Sequence, residues 1–224
     1  MKIKMNRQLV SAAIVLIILG WAGQLHAQPF INEIRAFKKQ DSVSPPPTGA
    51  VLFVGSSSFR IWKDVADYFP EHRILNRGFG GSALPDVIRY EKDIIFPYQP
   101  KQVVIYCGEN DIASSDTVTA DVVLDRFKKL FTDIRSALPG VPVLFVSIKP
   151  SPSRWSMKDR MIKANELIRN YLKQQKKTSF VNVWDSMLGP DGKPMPDIFL
   201  QDNLHMNPKG YAIWKKSLEP YLLK

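Results

Sequence analysis

Five short stretches of the chain are largely apolar, the first without any alternation: residues 51–54, 74–76, 102–106, 143–146 and 180–183. Runs of this kind, rich in Val, Ile and Phe, belong to strands buried on both faces, as in a parallel sheet. Between them the spacing changes to that of helices. Val123, Phe127, Leu130, Phe131, Ile134 and Leu138 recur every three or four residues, as do Met161, Ala164, Ile168 and Leu172. Pro139-Gly140 closes the first of these helices. Residues 59–69 predict a helix ended by Pro70, and residues 84–96 another stopped by Pro97. The last helix carries Tyr211, Trp214, Leu218 and Tyr221 on one face, with Asn207 suited to its N-cap and Pro208 to its first turn. His72 falls in the polar Glu71-His72-Arg73, which predicts a surface loop.

Strand and helix alternate, so short right-handed crossovers predict a three-layer α/β/α sandwich around a parallel sheet of about five strands. All carboxyl ends of such strands share one edge, where ligands bind and helix N-termini offer free N–H groups.

Upstream of this pattern the chain reads differently. Lys2, Lys4 and Arg7 precede an apolar run from Leu9 to Ala22, and Leu25-His26-Ala27 offers a small residue for cleavage. That is the pattern of a secretory signal peptide over residues 1–27, directing export to the periplasm or the exterior. Because Leu25 is larger than such sites favour, an uncleaved anchor is the other reading. Residues 28–49 then form an extension, with a short helix over 28–40 and a stiff connector containing Pro45-Pro46-Pro47. Residues 50–224 make the domain.

Composition narrows the chemistry. The chain has 224 residues and a formal charge of +10, which falls by three once the leader is removed. The remaining lysines lie in scattered pairs such as Lys38-Lys39 and Lys128-Lys129, a pattern of solvated helix faces that predicts no nucleic-acid partner. No second apolar run is long enough for a membrane. Cys107 is the single cysteine, and it continues an apolar strand, as inert core cysteines do. Beyond the leader only His72 and His205 remain, too few for a site of several His and Cys ligands, so no metal and no cofactor is expected.

Polar residues gather where apolar strands end. Gly55-Ser56-Ser57-Ser58 follows the first strand, and its serines suit either a turn and helix cap or a nucleophile. Arg77-Gly78-Phe79-Gly80-Gly81-Ser82 follows the second, either an ordinary turn or a loop baring N–H groups to a bound oxygen. Asn110 and Asp111 follow the third strand, where both residue types also cap helices. The 149–155 loop after the fourth strand is a candidate pocket rim. His205, three residues after Asp202 in the loop before the last helix, is a candidate acid–base group as well as a structural histidine. Acyl transfer needs a hydroxyl nucleophile, an imidazole, an orienting carboxylate and oxyanion donors, and this edge holds all four. No Gly-x-Ser-x-Gly occurs, which argues against the α/β-hydrolase arrangement.

Gly55-Ser56-Ser57-Ser58, Asn76-Arg77-Gly78-Phe79-Gly80-Gly81, Gly108-Glu109-Asn110-Asp111 and Asp202-Asn203-Leu204-His205 resemble, in order, the four blocks of the SGNH, or GDSL-like, hydrolases. The glycine block is most similar to the platelet-activating-factor acetylhydrolase-like branch. The resemblance implies a flavodoxin-like SGNH fold, Ser57, Asp202 and His205 as catalytic residues, and the Ser57 and Gly81 N–H groups with the Asn110 amide as the oxyanion hole. It implies a serine esterase of short acyl groups, with O-acetyl groups of a carbohydrate as the leading substrate. The same residues suit a lysophospholipase or thioesterase, and a non-catalytic carbohydrate- or envelope-binding domain is the reading from another class. Ser56 stands where the family motif has aspartate, which leaves the register among the three serines open.

Overall fold

The computed structural model describes residues 29–224; the leader expected over 1–27 lies outside the described residues. Five strands, β1 (Val51–Gly55), β2 (Ile74–Gly78), β3 (Gln102–Tyr106), β4 (Val143–Val146) and β5 (Thr178–Val181), form one sheet in the order β2-β1-β3-β4-β5. Every pairing is parallel, with Val51 opposite both Ile74 and Gln102. The topology is that of the expected three-layer sandwich.

Alternate strand residues feed two cores. Leu52, Val54, Val103, Ile105, Val143 and Phe145 face helices α1 (Ile31–Val43), α4 (Leu84–Ile94), α6 (Ala120–Ala137) and α7 (Lys158–Leu172). Val51, Phe53, Val104, Tyr106, Leu144 and Val146 face α2 (Ser57–Ile61), α3 (Val65–Tyr68) and α8 (Pro208–Leu218). The second core is aromatic: Trp62 stacks on Tyr211 at 4.7 Å, and Trp214 meets Tyr106 at 4.8 Å and Phe59 at 5.9 Å. Large buried rings of this kind contribute about 2–3 kcal/mol each. They lock the last helix against the first strand and its helix. A short helix, α5 (Glu109–Ser114), follows β3. Among the described residues no helix is long and apolar enough to cross a membrane.

Several boundaries differ from the sequence expectation. The helix expected over 59–69 is two, α2 and α3, because Trp62 turns into the core and the Asn76 amide donates to the carbonyls of Phe59 (2.7 Å) and Trp62 (3.2 Å). The helix expected over 84–96 ends at Ile94, and Pro97 sits inside a separate 3₁₀ turn, Phe96–Tyr98. Strand β5 begins and ends two residues before the apolar run 180–183, since it is an edge strand and carries Thr178 and Ser179 half-exposed. Helix α1 runs on to Val43, so Asp41 belongs to it rather than to the connector. His72 is buried, between exposed Glu71 and Arg73, with its Nδ1 3.0 Å from the Leu223 carbonyl oxygen.

Candidate active site

Strand β1 ends in Gly55 at φ +133°, where a Cβ would stand 1.9 Å from the Tyr106 carbonyl oxygen. Only glycine fits, and the chain there turns so that Ser56 N–H reaches the same carbonyl at 3.0 Å and α2 begins at Ser57. Ser56 and Ser58 are buried, whereas Ser57 is half-exposed. The Tyr211 hydroxyl donates to the Ser58 carbonyl at 2.7 Å, tying α8 to this turn.

His205 is delivered by a tight loop closed by the antiparallel bridge of Phe199 with Met206. Both of those side chains are buried; the Leu200 N–H donates to the His205 carbonyl at 2.7 Å, and Asn203 takes a left-handed conformation at φ 54°. Asn207 then caps α8 by accepting from the N–H groups of Lys209 and Gly210. Within the loop, Asp202 Oδ1 accepts the N–H groups of Leu204 (3.0 Å) and His205 (2.9 Å), and Oδ2 lies 2.6 Å from His205 Nδ1. His205 Nε2 lies 2.9 Å from Ser57 Oγ, across 148 residues of sequence. The structure thus brings Ser57, and not Ser56 or Ser58, into line with His205 and Asp202. Partial burial pushes the Asp202 carboxyl up, but the bonds from the ring and the two backbone N–H groups outweigh it and hold it at about 2.

Gly81 and Asn110 stand beside this line. A methyl group built on Gly81 would be 3.9 Å from Asn110 Nδ2, and among the described residues the N–H groups of Ser57 and Gly81 have no protein acceptor. Asn110 Nδ2 donates one hydrogen to the Ser82 carbonyl at 3.0 Å, leaving its second. Gly108, at φ +116°, starts α5, which places Asn110 at the carboxyl edge of the sheet. Asp111 turns the other way: it is buried and accepts from the Leu84 N–H (2.9 Å) and from Arg126 (2.8 Å), a structural part.

Behind Asn110 lies a buried cluster drawn partly from the 149–155 loop expected at the pocket rim, although its burial and its pairing with Glu109 are not expected from the sequence. Arg154 donates to Asn110 Oδ1 at 2.9 Å, fixing the amide so that its nitrogen faces away from the guanidinium. Glu109 accepts from Lys149 Nζ (2.9 Å), the Tyr106 hydroxyl (2.6 Å) and Ser151 (3.2 Å), with Arg154 3.6 Å away. Burial raises the Glu109 carboxyl, yet Lys149 and Arg154 prevail and hold it below the usual range. Burial also lowers the Lys149 ammonium, against the pull of Glu109. The one signal in the sequence is a lysine continuing the apolar run Val143–Val146 past Ser147 and Ile148, since a charge buried there demands a partner. Cys107 is fully buried, and burial pushes its thiol well up. His72 plays no part in this edge. Among the described residues no group of three His, Cys, Asp or Glu side chains gathers as a metal site would require.

Comparison with known proteins places the chain in a family and a fold. Residues 50–213 match the model of the GDSL-like Lipase/Acylhydrolase family. No curated protein matches the sequence significantly. Among solved structures, a Streptococcus pneumonia protein named for platelet activating factor superposes with a TM-score of 0.75 at 17% identity, covering 98% of this chain and 100% of its own. A GDSL-like lipase from Bacteroides thetaiotaomicron gives 0.68 at 22% identity, over 84% and 95%. An acetyl xylan esterase from Geobacillus stearothermophilus gives 0.59 at 13% identity, over 77% and 94%. At these identities the structural likeness establishes the fold.

Proposed function

The chain belongs to the GDSL-like lipase/acylhydrolase family and is a carboxylic ester hydrolase; on that premise we propose that Ser57, His205 and Asp202 form its catalytic triad and that it removes short acyl groups, acetyl above all, from a carbohydrate. The observation that carries this reading is the continuous line from Asp202 Oδ2 through the ring (2.6 Å) to Ser57 Oγ (2.9 Å). With Nδ1–H donated to Asp202, Nε2 is left to accept the serine proton. Ser57 Oγ attacks the ester carbonyl carbon and passes its proton to Nε2. The carbonyl oxygen becomes an oxyanion that meets the Ser57 N–H, the Gly81 N–H and the Asn110 amide. The carbon–oxygen bond to the alcohol breaks, and the alcohol departs with the proton from Nε2. Water, deprotonated by the same nitrogen, then releases the acid from Ser57 and restores the hydroxyl.

The preference for small acyl groups is supported by what borders the site. Gly81 and Asp202 are exposed, so the reacting ester is met near the surface, where a bulky alcohol can be accommodated. The interior behind Asn110 is charged, with Glu109, Lys149 and Arg154, which disfavours burying a long acyl chain against it. The carbohydrate alcohol draws support from the family and from the signal-like residues 1–27, which would place the enzyme in the periplasm or outside the cell. Aryl esters of rising chain length and acetylated polysaccharides test the proposal. Acetyl esters should give the highest kcat/KM and acetylated polysaccharide should release acetate; a preference for long chains, or no acetate release, would contradict it.

A further inference from the structure

Helix α1 lies outside the matched span 50–213, yet it is fastened to the glycine loop that borders the site. Glu33, in its first turn, bridges two pieces of that site. Its Oε2 accepts the Gly80 N–H at 3.1 Å and stands 2.6 Å from Nε of Arg60, three residues after Ser57 on α2. Phe30 closes the same joint, with its ring edge-on to Phe79 at 5.3 Å, and a Cβ on Gly80 would come within 2.4 Å of it. The Tyr90 hydroxyl holds the Pro29 carbonyl at 2.6 Å. Farther along, Asp41 pairs with buried Arg77 and accepts the Tyr98 hydroxyl at 2.5 Å, so the helix is anchored at both ends.

We propose that Glu33 is a positioning residue for ester hydrolysis: by occupying the Gly80 N–H, it fixes the Phe79–Gly80 peptide, the start of the glycine pair, and so restricts where Gly80 can aim the next N–H, that of Gly81, which is presented to the oxyanion. The proposal rests on the oxyanion role given to Gly81 above. Two adjacent glycines, the first at φ +32°, give this segment much conformational freedom, and a donor that wanders stabilises a transition state poorly. A carboxylate near a developing oxyanion would oppose it, and Arg60 supplies the compensating charge. Because Arg60 shares a five-residue helix with Ser57, the same bridge ties the nucleophile's helix to the donor loop.

Glu33→Ala should lower kcat for an aryl acetate about tenfold with KM within about twofold, and should weaken an alkylboronic acid, whose tetrahedral serine adduct places an oxygen in the oxyanion position, by a similar factor. Glu33→Gln, which keeps an acceptor for the Gly80 N–H, should recover most of both. If Glu33→Ala does not fold, Glu33→Asp, one methylene short of Gly80, carries the same expectation. Unchanged kcat and boronate affinity in the Ala or Asp variant would overturn the proposal, as would a loss confined to KM or one that Gln fails to relieve. Ser57→Ala separates the two readings: an active Ser57→Ala enzyme sinks the proposed triad, whereas an inactive one beside a fully active Glu33→Ala sinks only the role of Glu33.

Discussion

The two edges of the sheet are built from similar parts and do different things. At the amino edge the C-terminal tail folds back on the strands: His72 meets the Leu223 carbonyl, and the Gln102 side chain donates to the Tyr221 carbonyl (2.8 Å) and accepts the Leu223 N–H (2.9 Å). At the carboxyl edge the segment before and within α8 folds back on β1, through His205 to Ser57 and Tyr211 to Ser58. Each edge therefore has one histidine and one C-terminal clamp. The difference lies in what the ring faces. His72 meets a backbone carbonyl, whose bond closes the structure and has no reactive partner. His205 meets a hydroxyl beside N–H groups that no acceptor among the described residues uses, because parallel strands end and helices begin on that edge alone. Both edges are clamped, and only one of the clamps sets a histidine against a reactive group.

Substituting the two histidines separates these roles most widely. His205→Ala should lower kcat/KM for an aryl acetate by about 10⁴-fold or more, as should Ser57→Ala, with little change in Tm. Asp202→Asn should cost less than His205→Ala, because the base survives with weaker orientation. His72→Ala should leave kcat intact and cost about 1–2 kcal/mol in denaturant unfolding, through a buried bond lost and a cavity opened. The reverse pattern would dissolve the comparison.

Asn110→Ala should reduce kcat by about 10²–10³-fold with a smaller change in KM, the usual effect of deleting one oxyanion donor. Asp111→Ala, one residue away, should instead lower stability, since it strips Arg126 and the Leu84 N–H of their buried acceptor. Equal kcat losses at the two positions would mean that the Asn110 amide merely supports a turn.

Acidification sharpens the account of the reactive edge. Asp202, held at about 2, stays charged well below neutral pH, so acidification to about pH 5 should not protonate the orienting carboxylate, and any loss of activity of the folded enzyme there should follow a slope of one. A pH–kcat/KM profile falling with a slope of two as pH drops from about 8 to 5 would require a second essential base.

The smallest expected effect lies away from both edges, on α4. Burial, then the charge of Asp133, raises the Glu91 carboxyl from 4.5 to about 7, and its buried Oε2 has no hydrogen-bond partner among the described residues. The folded chain then holds a proton that the unfolded chain has lost, so stability declines as pH rises from 4.5 to about 7. Glu91→Gln should remove that decline and raise Tm at pH 8 by roughly 2–4 °C, without altering kcat. An unchanged stability profile would show that Glu91 is paired or solvated in the folded protein.

Much of this architecture is legible in the sequence because the signals are contiguous. Gln102–Tyr106 and Val143–Val146 are buried on both faces, so their runs coincide with β3 and β4. The bounds of edge strand β5 are harder to read, because its half-exposed start looks like a loop. The burial of His72 leaves no trace in the pattern, since a single buried residue between two exposed charges is too short a contrast to register. The four polar blocks can be read because each is a few consecutive residues, three at a strand end and the fourth just before the last helix. Glu33 cannot be tied to the site from sequence, and although Lys149 and Arg154 fall in the loop expected at the pocket rim, their partners cannot be read, since those of the three residues lie 47, 40 and 44 residues away and depend on how helices seat on the sheet.

The central claim, that Ser57 is the nucleophile and His205 its base, is tested most directly by covalent labelling with an alkyl fluorophosphonate, followed by peptide mass mapping. The account predicts one equivalent of adduct on Ser57, loss of esterase activity in proportion to labelling, and no labelling in His205→Ala on the same timescale. An adduct on Ser56 or Ser58, or full activity with Ser57 labelled, would contradict it.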